Sequence, residues 1–316
     1  LMFKKILISL LALLAVLIIV VGLVGYAADT NQVEMEAKYG QTPLLRTKIS
    51  GMRYRDDGNP NGPVLLLLHG ANSSLQTWEP MVAELGEQFR LVSFDQHGHG
   101  LTGPQVDHDY SSQMRVQAGV EVLDELGIEQ AIWVGNSMGG GVSWRAAMLA
   151  PDRFSGLVLI DPSGAQTGEK IKPYIGARIA STWVGQKVLP VITPRFIVAR
   201  SLRETVAEAA TMTEPMIDRY WEMVRYPGNR AAMAAAMTQE RESDLWNTID
   251  TINVPTLILW GEQDNVIPVS HGAAFAERIS GSQLITYPQA GHLPMEEIPT
   301  IVANDIRTWF NGAYTQ

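Results

Sequence analysis

Ser137, Asp264 and His292 are the residues whose types and spacing could together carry out nucleophilic chemistry. Ser137 stands in Val134-Gly135-Asn136-Ser137-Met138-Gly139-Gly140-Gly141, a Gly-x-Ser-x-Gly pattern that holds a serine on a sharp turn between strand and helix. Glycines two before and two after the serine let strand and helix approach closely. The turn also puts the hydroxyl at a helix N-terminus, where free N–H groups favour developing negative charge. A serine hydroxyl at its free pKa is a poor nucleophile, so an imidazole must take its proton. His292, in Gly291-His292-Leu293-Pro294, supplies the imidazole, first as base and then as acid. Asp264, in Gly261-Glu262-Gln263-Asp264, supplies the carboxylate that fixes its tautomer and stabilises its cation. The backbone N–H groups of Met138 and Ala71 are the expected donors to the oxyanion of a carbonyl under attack.

Each assignment has rivals. Asp161 directly follows an apolar strand-like run and competes as the acid; Asp264 is favoured by its loop and by the chain order Ser, Asp, His. His69 lies too near the expected oxyanion loop in sequence to serve as the base, and His271 lies in a helix-like stretch with no motif around it. His97, His99 and His108, with Asp107 and Asp109, match no metal-ligand spacing and read as hydrogen-bonded loop residues. No metal and no cofactor is expected.

Positioning these residues takes alternating strands and helices. Continuous apolar runs at 64–68, 91–94, 131–134, 157–160, 256–260 and 284–287 read as strands buried on both faces. Helices are expected at 78–89, 110–126, 142–150 and 298–310, and a hairpin of 44–50 with 51–55, before a turn cluster at 56–63. That alternation implies a mostly parallel, doubly wound α/β sheet, whose sites lie at the strands' C-terminal ends. Residues 163–245 break it. They read as a helical lid rich in Trp183, Phe196, Ile197, Met212, Met216, Tyr220, Trp221, Met223, Met233 and Met237, with Val188 and Leu189. Most of these should serve helix packing and a minority an adaptable substrate wall.

A net charge of −9 with no Lys/Arg cluster argues against nucleic acid. The absence of cysteine excludes disulfides and a thiolate nucleophile. Residues 6–28 carry no charge and are dominated by Leu, Ile and Val, long enough for a membrane helix of about 20 residues. Lys4 and Lys5 before it and Asp29, Glu34 and Glu36 after it orient the rest of the chain to the exported side. The segment 1–28 is therefore expected to be a retained anchor; the rival is a signal peptide cleaved near Gly25-Tyr26-Ala27, which would leave a secreted protein. Residues 29–43 read as a polar linker.

The motifs His69-Gly70-Ala71-Asn72, Asp95-Gln96-His97-Gly98-His99-Gly100, Gly135-Asn136-Ser137-Met138-Gly139-Gly140, Gly261-Glu262-Gln263-Asp264 and Gly291-His292 resemble the α/β-hydrolase superfamily. The resemblance spans about residues 44–316, apart from the details of the lid. With anchor and lid added, it looks most like membrane-anchored monoacylglycerol lipases and related carboxylesterases. It implies an eight-stranded sheet, a core of 44–162 and 246–316, a lid after the sixth strand, and ester hydrolysis through an acyl-enzyme. Gln96 departs from it, standing where proline is common. The partner is then a lipid-like acyl ester such as a monoacylglycerol, with the oligomeric state left open. The alternative is carbon–carbon bond hydrolysis of ring-cleavage products, which shares Gly-Asn-Ser-Met-Gly-Gly, although Leu-Pro-Met-Glu after His292 is unlike those enzymes. A catalytically dead binding module is disfavoured by the intact Ser137, Asp264 and His292.

Overall fold

The computed structural model describes residues 27–40, 44–169, 191–239 and 244–314, with isolated positions before 27 and between 170 and 190. Most of the expected anchor, 1–28, and the central part of the expected lid, with Val188 and Leu189, lie outside the described residues. Among the described residues, no helix is long and apolar enough to cross a membrane.

Eight strands form one sheet: β1 (Leu45–Arg46), β2 (Arg53–Gly58), β3 (Val64–Leu68), β4 (Arg90–Phe94), β5 (Ala131–Asn136), β6 (Phe154–Ile160), β7 (Thr256–Gly261) and β8 (Gln283–Tyr287), in the order β1-β2-β4-β3-β5-β6-β7-β8. The β1–β2 and β2–β4 pairs are antiparallel and the remaining pairs parallel. Continuous apolar runs follow from burial on both faces. Leu66 and Leu68 join Trp133, Leu157, Leu159 and Trp260 in one core, while Leu65 and Leu67 join Val134, Val158, Ile160 and Leu257 in the other. Truncating any of these to alanine is expected to cost about 2–5 kcal/mol.

The helices are α1 (Gln32–Tyr39), α2 (Glu79–Leu85), α3 (Ser112–Glu125), α4 (Met138–Leu149), α5 (Arg195–Thr205), α6 (Glu214–Val224), α7 (Asn229–Thr238), α8 (Ser270–Arg278), α9 (Pro294–Glu297) and α10 (Pro299–Tyr314). Three differences from the sequence reading have local causes. The stretch expected as a linker holds α1: the Asn31 side chain accepts from Val33 N and Glu34 N, Met35 is buried, and Lys38 reaches Glu222 at 2.7 Å. Asp56, Asp57 and Gly58 belong to β2 rather than to the turn, because they pair with Val92, Leu91 and Arg90 of β4. Residues 75–78 form a 3₁₀ turn ahead of α2, with Leu75 N held by Asp95 Oδ1 at 2.8 Å.

Chain order reverses around β3, which has β4 on one side and β5 on the other. Such a reversal opens a crevice at the strands' C-terminal ends. The loops after β3 and β5 meet there. Helices α5, α6 and α7, inserted between β6 and β7, lie in the stretch expected as a lid.

Candidate active site

Ser137 joins β5 to α4 with φ 53° and ψ −116°. A non-glycine residue there carries strain of roughly 1–3 kcal/mol, held by its surroundings. Ser137 N donates to Ile160 O at 3.0 Å, and Ser137 O accepts from Gly141 N and Ser163 N, each at 2.9 Å. The glycines around it are sterically required. A Cβ on Gly135 would overlap the backbone of Gly139, and one on Gly139 would overlap the carbonyl of Leu68 at the end of β3. The close approach is therefore of α4 to β3 as well as to β5.

Gly70 brings the loop after β3 against the serine: a Cβ there would lie 3.2 Å from Ser137 Cβ. Ala71 follows it, on the wall of the same cavity as Ser137. Met138 opens α4, so its N–H has no partner within the helix. Gln96, the departure from the family pattern, ties the neighbouring loops together. Its Nε2 donates to His69 O at 2.8 Å and its N–H to His69 Nε2 at 3.1 Å.

His292 and Asp264 come together from the loops after β8 and β7. Nδ1 of His292 lies 2.6 Å from Asp264 Oδ2, and both side chains are buried. Asp264 Oδ1 accepts from Val266 N at 2.6 Å and Ile267 N at 3.0 Å, which fixes the carboxylate plane. His292 is held through its backbone: its N–H donates to Thr205 O at 2.8 Å, and its carbonyl accepts from Asn136 Nδ2 at 3.0 Å. Ser137 and His292 border one cavity of about 380 Å³, within the range of small-molecule sites.

The cavity wall is mostly apolar. Ile197, Leu202, Met223, Met233 and Met237 come from the lid helices, with Val266 and Leu293 from the loops after β7 and β8. Met212, by contrast, packs into the sheet core. Arg230 is the only guanidinium on the wall among the described residues, and it is occupied, with Nη2 2.6 Å from Asp29 Oδ1 and Nη1 2.8 Å from Ala27 O.

Of the other histidines, His99 also borders the cavity. Nδ1 of His69 faces Gly70 O at 2.8 Å, that of His99 faces His97 O at 3.1 Å, and His271 Nε2 meets Thr167 Oγ1 at 3.1 Å. Burial holds the His69, His97, His99 and His271 rings below the ordinary imidazole pKa. Among the described residues, the one cluster with metal-ligand proximity is Asp161, Asp264 and His292. Asp264 bonds His292 and two backbone N–H groups, and Asp161 Oδ1 accepts from Gly261 N, while Asp161 Oδ2 is buried with no donor.

Two residues that sequence reasoning missed also shape the site. Glu297 receives Gly291 N and Leu293 N at 3.0 Å and Ala207 N at 2.7 Å, clamping the His292 loop to the lid. Glu296, buried, meets Arg219 Nη2 at 2.6 Å and Tyr220 OH at 3.1 Å. Burial pushes its carboxyl up, opposed by Arg219 and Tyr220. The only sequence signal for either was a pair of carboxylates soon after His292.

Comparison with known proteins agrees with this architecture. A family model described as alpha/beta hydrolase fold matches residues 63–299. An uncharacterized hydrolase of Bacillus subtilis is 27% identical over 84% of this chain and 97% of its own length. The 2-hydroxymuconate semialdehyde hydrolase of Pseudomonas sp. strain CF600 is 27% identical over 77% of this chain and 85% of its own. A solved meta-cleavage product hydrolase from Pseudomonas fluorescens IP01 superposes with TM-score 0.72 at 22% identity, covering 86% of this chain and 100% of that one. The latter two neighbours are a 2-hydroxymuconate semialdehyde hydrolase and a meta-cleavage product hydrolase, not the monoacylglycerol lipases that anchor and lid suggested. The chain belongs to the alpha/beta hydrolase fold family.

Proposed function

We propose that this protein is a serine hydrolase of apolar acyl compounds, with carboxylic esters as the substrate class. The observation that carries the reading is the buried His292–Asp264 pair at 2.6 Å, beside a mostly apolar cavity bordered by Ser137. Ser137 Oγ attacks the carbonyl carbon as His292 takes its proton. Asp264 holds Nδ1–H and stabilises the imidazolium. The oxyanion is met by the N–H groups of Met138 and Ala71, each worth about 10²–10³ in rate. Collapse expels the alcohol, which takes the proton from His292. Water then attacks the acyl-enzyme with the same imidazole as base, and Ser137 is regenerated. No cofactor or metal enters these steps.

A second reading is hydrolysis of a carbon–carbon bond in a vinylogous diketone. Gly135-Asn136-Ser137-Met138-Gly139-Gly140 and the ring-cleavage hydrolases among the relatives favour it. A muconate-type substrate, however, carries a carboxylate, and Arg230 is already paired with Asp29. That pairing favours a neutral acyl chain.

Rates on p-nitrophenyl esters from acetate to palmitate, on monoacylglycerols and on a vinylogous diketone, with wild type and Ser137→Ala, separate the readings. Ester hydrolysis is expected to dominate and to fall by at least about 10³-fold in the variant. Turnover of the diketone with negligible ester hydrolysis would establish the second reading instead. Unchanged ester hydrolysis by Ser137→Ala would sink both. For location, the charge-free run at 6–28 supports a retained anchor with the hydrolase domain on the exported side. Release of the full chain from membranes by alkaline carbonate would overturn that.

A further inference from the structure

Asp161, the last residue before the chain leaves β6 for the lid, is a buried acid that the steps above do not use. It is fully buried with φ 44°, and its side chain crosses to the end of β7, where Oδ1 accepts from Gly261 N at 3.0 Å. Oδ2 is buried and has no conventional donor. One carboxyl oxygen of Asp161, one of Asp264 and one ring nitrogen of His292 lie within 4.8 Å of one another. Two ionised carboxylates that close, away from water, repel strongly, and the imidazole Nδ1 faces Asp264 alone.

We propose that Asp161 is a positioning residue of the site: a neutral carboxylic acid that donates its proton to Asp264 and so fixes the carboxylate that orients His292. This rests on the reading of Ser137, His292 and Asp264 as the catalytic residues. The proton belongs on Asp161 because the two carboxyls are unequally served. Asp264 receives Val266 N, Ile267 N and His292 Nδ1, which stabilise negative charge, whereas Asp161 receives Gly261 N alone. Asp264, Glu297 and Tyr287 all interact electrostatically with Asp161, and none of the three can carry positive charge; the His292 ring lies beside it. Burial first, and then the Asp264 charge, push the Asp161 carboxyl well above its ordinary range.

Two substitutions test the assignment. Asparagine keeps the shape and donates an N–H to Asp264, so Asp161→Asn is expected to retain kcat and the acid limb of kcat/KM. Asp161→Ala, which offers no donor, is expected to lower kcat on the order of tenfold with KM unchanged, the weight of one charge-assisted hydrogen bond. Difference infrared spectra at neutral pH supply a readout that needs no substrate. The C=O band of a protonated carboxyl should be present in wild type and missing from Asp161→Asn. Carboxylate bands lost in its place, loss of activity in Asp161→Asn, or full activity in Asp161→Ala would each overturn the proposal. If no ester is hydrolysed by wild type, the infrared result still decides the protonation of Asp161, so this inference and the reading of function fail separately.

Discussion

At the scale of single side chains, Glu297 sets the position of His292 without touching its ring. Its two oxygens take N–H groups on either side of the histidine, from Gly291 and Leu293, and a third from Ala207 in the lid. Three N–H donors occupy both oxygens of this half-buried carboxylate. Glutamine keeps the size but offers one acceptor oxygen, and its amide hydrogens face backbone N–H groups. Glu297→Gln is therefore expected to lower kcat roughly 10- to 100-fold, the usual effect of a small misplacement of a catalytic group. Glu297→Ala should in addition raise KM, because it releases Ala207 and with it the C-terminal end of α5 beside the cavity. Steady-state kinetics on the best ester checks both, and a KM change without a kcat change would place Glu297 in the lid's service alone.

Between elements, two contacts decide whether the site assembles. The first is the approach of α4 to β3, where a Cβ on Gly139 has no space beside the Leu68 carbonyl. Backbone cannot yield as a side chain does, so Gly139→Ala should cost at least about 1–3 kcal/mol, read from the urea midpoint. The second is the Arg219–Glu296 ion pair at 2.6 Å, which fastens α6 to α9 behind His292. Arg219→Leu leaves Glu296 buried without its cation and is expected to cost about 3–5 kcal/mol. Arg219→Leu with Glu296→Leu should recover most of that loss, since an apolar pair of similar volume replaces a desolvated ionic one. A double variant no more stable than the single would assign the cost to the packing of Tyr220 instead.

Over the whole molecule, burial of four histidines makes stability depend on acid. Burial lowers His69, His97, His99 and His271 below the ordinary value of 6.5. As pH falls through that value, the unfolded chain takes up protons that the folded chain does not, so stability drops below about pH 6.5. Each such histidine contributes a slope of up to about 1.4 kcal/mol per pH unit. Asp161 and Glu296, raised by burial, act in the opposite sense. The fall in Tm between about pH 6.5 and 5 should therefore be shallower in His99→Gln than in wild type; an equal slope would show that His99 does not contribute. The sequence by itself determined the α/β alternation, since strands such as Val64–Leu68 and Thr256–Gly261 are buried on both faces and must read as unbroken apolar runs. It also marked Ser137, Asp264 and His292, because each follows a strand at the edge where such sheets place their sites. It understated α1, whose Asn31 cap and Glu34 were visible but whose single buried Met35 gave almost no periodicity. Tertiary structure alone decided that Asp161 lies against Asp264 and that Glu297 clamps the histidine loop to the lid. Those contacts join the ends of different strands, about 100 residues apart for Asp161 and Gly261, and no local spacing encodes a meeting that only sheet register brings about.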